Sequence, residues 1–85
     1  MGLAESVDAE KRPVYFPEWQ GVLATCPLPP LTKESHADEV IAFLGQCRTQ
    51  RTPASVAFAR QYIERLAPDA RGPAREGLRW FFRSA

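Results

Sequence analysis

The sequence predicts a small all-α fold, a compact bundle of four short helices. Three observations carry that expectation. Apolar residues recur at i, i+3, i+4, i+7 spacing in four separate segments. Prolines fall between those segments, where they end one helix and open the next. No stretch alternates with period two and no hairpin dipeptide occurs, so strands are not expected.

Residues 1–15 are polar and aperiodic and read as a disordered or loosely ordered tail, leaving 16–85 as the helical domain. Phe16-Pro17-Glu18 opens a first helix over 17–26, with proline at its first position and an acid in its first turn. Trp19, Val22, Leu23 and Cys26 form its apolar face, and Pro27-Leu28-Pro29-Pro30 ends it. Thr32 is the expected N-cap of a second helix over 33–50, whose stripe is Val40, Phe43, Leu44 and Cys47. Thr52-Pro53 starts a third over 53–66, with Val56, Ala59, Tyr62, Ile63 and Leu66 inward, closed by Pro68. Gly72-Pro73 begins a fourth over 73–83, burying Ala74, Leu78, Phe81 and Phe82. The expected core includes Trp19, Leu23, Val40, Leu44, Ile63, Leu78 and Phe82.

Eighty-five residues make one domain, able to bury roughly 60–65% of its unfolded surface. With 45% apolar and 25% charged residues, the chain is of ordinary globular composition. No run approaches the ~20 apolar residues of a membrane span, and no signal-peptide h-region is present, so a cytoplasmic chain is the default. The fourth helix lacks a stop signal before Ala85, which points to a module of a longer protein, although a short natural chain is the alternative.

Catalytic and metal chemistry find little support. The lone histidine, His36, has no activating partner at nucleophile spacing, and Cys26, His36 and Cys47 are nine or ten residues apart, unlike zinc ligand pairs. No phosphate loop, nucleophile elbow or zinc-protease helix occurs. Neither a cofactor nor a metal is expected. Antiparallel helices would set Cys47 about 21 Å along the second helix from Cys26, too far for a disulfide, so two reduced thiols are expected.

Charge is unevenly divided behind a net balance of +1. Residues 48–85 carry eight arginines against Glu64, Asp69 and Glu76, a local balance of +5, whereas seven acids oppose three bases before them. Arginine suits forked phosphate contacts, so the C-terminal half is expected to meet an anionic partner. Arg71, Arg75, Arg79 and Arg83 recur every four residues, and at 100° per residue they fan over about 120° of one helix face. Leu78, Phe81 and Phe82 fall largely on the other side. The free N–H groups expected at Gly72-Pro73 favour a phosphate near Arg71 and Arg75. A solvated face with intrahelical ion pairs, or a membrane-surface helix around Trp80, are the competing readings of this stripe.

With these elements placed, the chain resembles the N-terminal SAM-like core-binding domain of tyrosine recombinases, the phage integrase family. Leu31-Thr32 followed by His36, Val40, Phe43 and Leu44 resembles the family's second-helix pattern, with His36 departing from its usual tyrosine. Ser55–Leu66 is similar to the next helix, and Pro73–Phe82 resembles the closing one. The likeness covers residues 17–84. It implies a SAM-like four-helix bundle forming one half of a clamp on double-stranded DNA during integration or recombination. The catalytic half, a C-terminal domain of the same polypeptide, would be its partner. The DNA-contacting residues it implies are Thr32, Lys33, Ser35 and His36 from the second helix, joined by Arg71, Arg75 and Arg79 from the arginine stripe. A monomer in isolation, with no membrane partner and no catalysis of its own, completes the expectation. The alternative is a helical module that binds another protein, through an aromatic and arginine surface around Trp80.

Overall fold

The computed structural model describes residues 9–85 and is all-helical, with no strand among the described residues. Residues 9–11 are helical, a segment beyond the four helices expected, and four helices follow: α1 (Trp19–Thr25), α2 (Pro30–Thr49), α3 (Val56–Arg65) and α4 (Pro68–Ser84). Helix α4 touches the other three, and its longest partnership is with α2.

All four helix starts differ from expectation. Helix α1 begins at Trp19, not Pro17: Pro17 and Glu18 form the turn before it, Glu18 stands at the N-cap, and no acid lies in the first turn. At the other three starts another residue takes the cap. Helix α2 begins at Pro30, so Thr32 lies inside its first turn. Pro29 stands at the N-cap with extended ψ, and Pro30 has no N–H that the missing turn would leave unpaired. Helix α3 begins after Ser55, whose hydroxyl accepts the Phe58 N–H at 3.1 Å, not at Thr52-Pro53. Thr52 is engaged instead in ending α2: its N–H donates to the Cys47 carbonyl and the Arg51 N–H to that of Arg48. This paired closure sets Arg51 in the left-handed region (φ 52°), where glycine is usual. Helix α4 begins at Pro68, which opens this helix directly after the extended Leu66 and Ala67. Gly72 and Pro73 therefore lie within α4, and the free helix N-terminus expected beside Arg71 and Arg75 is absent. Pro73 has no N–H for the Asp69 carbonyl, a defect the first two turns of α4 carry.

Positions 1–8 of the expected tail lie outside the described residues. Within residues 9–15, expected to be loose, Glu10 and Val14 reach the bundle while Lys11, Arg12, Pro13 and Tyr15 are exposed. The Val14 N–H donates to the Ala54 carbonyl at 2.7 Å, and Val14 and Phe16 pack on the core.

Trp19, Leu23, Val40 and Leu78 are buried as expected, but Leu44, Ile63 and Phe82 are only half-buried. Phe43 and Phe81 hold the centre, at 0% and 1% exposure. Phe43 meets Phe58, Tyr62 and Phe82 with ring centroids 5.5–6.0 Å apart, and Phe16, arriving from the N-terminal segment, covers Phe81 at 5.5 Å. Each fully buried phenylalanine contributes about 1.5–3 kcal/mol. Helices α2 and α4 approach closely at Gly77, where an added Cβ would sit 2.8 Å from Glu39 Cβ and 3.5 Å from His36 Cα. Only glycine fits that crossing.

Candidate functional site

Packing α3 against α4 leaves a groove of about 530 Å³ between them. Its floor is Val56, Ala59, Ile63, Leu78 and Phe82; its rim is Arg60 from α3 and Arg75, Arg79 and Arg83 from α4. The geometry follows from the helical period. Arg75, Arg79 and Arg83 step round α4 by 40° each, directly beside Leu78 and Phe82. The expectation that these arginines lie opposite that apolar pair is corrected: at 100° per residue Phe82 and Leu78 fall only about 20° and 60° from Arg75, so the arginines border the pair.

The four rim arginines are exposed. Arg60 pairs with Glu10 (Nε–Oε1 3.1 Å), both side chains well solvated, so the pair contributes little to stability. Arg75, Arg79 and Arg83 have no carboxylate partner among the described residues.

Two of the expected DNA contacts are engaged elsewhere. Arg71 donates from Nε to the Leu66 carbonyl (3.1 Å) and from a terminal nitrogen to that of Glu64 (3.0 Å), closing the C-terminus of α3. Lys33 donates from Nζ to the Ala24 carbonyl at 2.7 Å, in the last turn of α1. Both cations meet the negative end of a helix dipole and leave carbonyls satisfied. Their expected place on an open solvent face is thus corrected: each is half-buried over a neighbouring helix.

The remaining α2 candidates stand apart from the rim, and none of Thr32, Lys33, Ser35 or His36 lines the groove. Ser35 is exposed beside Glu34, Asp38 and Glu39, an acidic surrounding that disfavours phosphate. His36 is half-buried at the α2–α4 crossing, its ring 6.5 Å from Trp80 and its Nδ1 enclosed without a hydrogen-bond partner among the described residues. Arg75 and Arg79 are thus the two expected site residues that the fold brings together. Arg60 and Arg83 complete the rim. Arg83 was visible in the stripe, and Arg60 was legible from its place between Val56 and Ile63.

No protein-family model, curated protein or solved structure matches this chain. The site therefore rests on its own geometry. Among the described residues no three His, Cys, Asp or Glu side chains group to hold a metal ion, and no helix is long and apolar enough to cross a membrane. Cys26 and Cys47 are both free thiols, and burial pushes the Cys47 thiol above its ordinary value.

Proposed function

We propose that this chain is a DNA-binding module of the tyrosine recombinase type, a SAM-like bundle that holds duplex DNA through the arginine rim. The observation that carries this reading is the rim itself: four exposed arginines converge on one groove, and three of them form no ion pair among the described residues, although Glu76 beside Arg75 on the same helix partly offsets their charge. Along α4 the three stand about 6 Å apart, one helical turn per step, a ladder suited to a polyanion with regularly repeated charge. Each guanidinium can fork onto one phosphate. Such contacts fix register and orientation and leave base reading to other groups.

In this proposal the module performs no chemistry and uses no cofactor. A catalytic domain of the same polypeptide would complete the clamp and supply the reacting groups. Neither Lys33 nor Arg71 takes part in DNA contact; their carbonyl bonds make them structural. The test is an anisotropy titration of labelled duplex at about 50 mM salt, where phosphate contacts are strongest. Arg75→Ala and Arg79→Ala should each weaken binding several-fold on any sequence, while Lys33→Ala and Arg71→Ala lower stability and leave affinity unchanged. Undetectable binding by the folded wild type would overturn the proposal. Losses confined to Lys33→Ala and Arg71→Ala would move the site away from the groove.

A further inference from the structure

Phosphate contact explains the rim of the groove and leaves its floor without a use. Ala59 and Leu78 are buried there, but Val56, Ile63 and Phe82 are only half-buried at the base of the groove. A sugar-phosphate backbone presents charge, with no hydrocarbon ridge to fill such a seat. We propose that this floor is the docking site for an acidic amphipathic helix of a protein partner, which takes the arginine rim in competition with nucleic acid. The competition rests on the DNA-binding reading above; the seat itself does not.

Shape and charge both select this occupant. The walls run from Val56 to Ile63 on α3 and from Arg75 to Arg83 on α4, each about 10–12 Å long. That length accepts two turns of a helix, whose apolar residues at i, i+3, i+4 and i+7 would lie along the floor. Arginines stand on both walls: Arg60 on one, and Arg75, Arg79 and Arg83 on the other. A helix seated between them therefore meets positive charge on both flanks, which calls for carboxylates either side of its apolar stripe. A basic or neutral helix of the same shape would bury like charge against the rim. The groove also separates this occupant from a planar array of lipid headgroups, which would reach the rim and miss the floor.

The probe is a peptide of about 16 residues, long enough to populate a helix, with leucine at i, i+3, i+4 and i+7 and glutamate at the flanking positions. Its control is a scrambled peptide of identical composition. The whole chain should bind the patterned peptide at least about tenfold more tightly than the scrambled one. Val56→Thr combined with Ile63→Thr should erase that difference while duplex binding stays at the wild-type level. Should the double variant melt early, Val56→Thr alone keeps the side-chain shape and should reduce the preference in part. Arg79→Ala should weaken peptide and duplex together, and excess peptide should release bound duplex. Equal binding of both peptides, or a preference untouched by the folded floor variants, would overturn the seat. Self-association of the chain without peptide binding would make a second copy the occupant and overturn it equally. Duplex titrated without peptide, and peptide titrated without duplex, keep the two failures separate: a missing seat leaves DNA binding intact, and the reverse also holds.

Discussion

Replacing Gly77 by alanine tests the α2–α4 crossing on which the orientation of the arginine rim depends. In an open helical site Gly→Ala stabilises by about 0.8–1 kcal/mol, because alanine loses less backbone freedom on folding. Gly45, inside α2, is such a site, with nothing within 4 Å of an added Cβ. At Gly77 the same methyl would lie 2.8 Å from Glu39 Cβ and 3.4 Å from its Cγ, nearly 1 Å inside a comfortable carbon contact. Glu39 Cβ is fixed to the α2 backbone, so no flexible side-chain end can swing away. The helices must part, at an overpacking cost of about 1–3 kcal/mol. Gly77→Ala should therefore be less stable than Gly45→Ala by about 1–3 kcal/mol, the propensity gain being common to both. For a domain of this size each kcal/mol shifts the melting temperature by about 4–8 °C, so thermal unfolding followed by helical circular dichroism resolves the difference. Equal stabilisation by the two substitutions would refute the close crossing.

Three further outcomes follow from the fold. Phe81→Ala should destabilise by about 3–5 kcal/mol and Phe82→Ala by less, since Phe81 is enclosed and Phe82 half-open at the groove; denaturant titration showing the reverse order would contradict the core assignment. Arg51→Gly should stabilise by roughly 0.5–1 kcal/mol by relieving the left-handed backbone that closes α2, and an unchanged or lower denaturation midpoint would count against it. Burial raises the Cys47 thiol, and burial with the nearby Glu39 charge raises Tyr62, so both groups stay protonated longer in the folded chain than in the unfolded one. Their contribution is complete at neutral pH and is lost as pH rises past the unfolded thiol value of about 8.5, so the melting temperature should fall from there upward and fall less steeply in Cys47→Ala.

The number and order of the helices from residue 19 onward were legible because apolar spacing and prolines agree at each element. Boundaries were less so. Pro68 reads equally well as a stop for α3 and a start for α4, and only the extended backbone at Leu66 and Ala67 decides between them. Phe81 and Phe82 are adjacent and equally apolar; which one is enclosed depends on Phe16 packing from the far end of the chain. The arginine stripe was visible as a period of four. That Arg71 closes α3 and Lys33 closes α1 is tertiary information, since each bonds a carbonyl of the preceding helix across a turn, Glu64 and Ala24 respectively. The groove floor was hidden for a similar reason: Val56, Ile63 and Phe82 read as core, and the packing of α3 leaves them part-open.

The central claim is that Arg75, Arg79 and Arg83, with Arg60 opposite, bind the phosphates of duplex DNA. Its most direct measurement is the salt dependence of duplex affinity. Three phosphate contacts give a slope of log K against log salt of about −2.7, and a fourth brings it to about −3.6. Arg79→Ala should make that slope shallower by about 0.9, whereas Arg71→Ala, which removes a helix cap, should leave it unchanged. A slope near zero, or an equal change in Arg71→Ala and Arg79→Ala with the fold intact, would contradict the account.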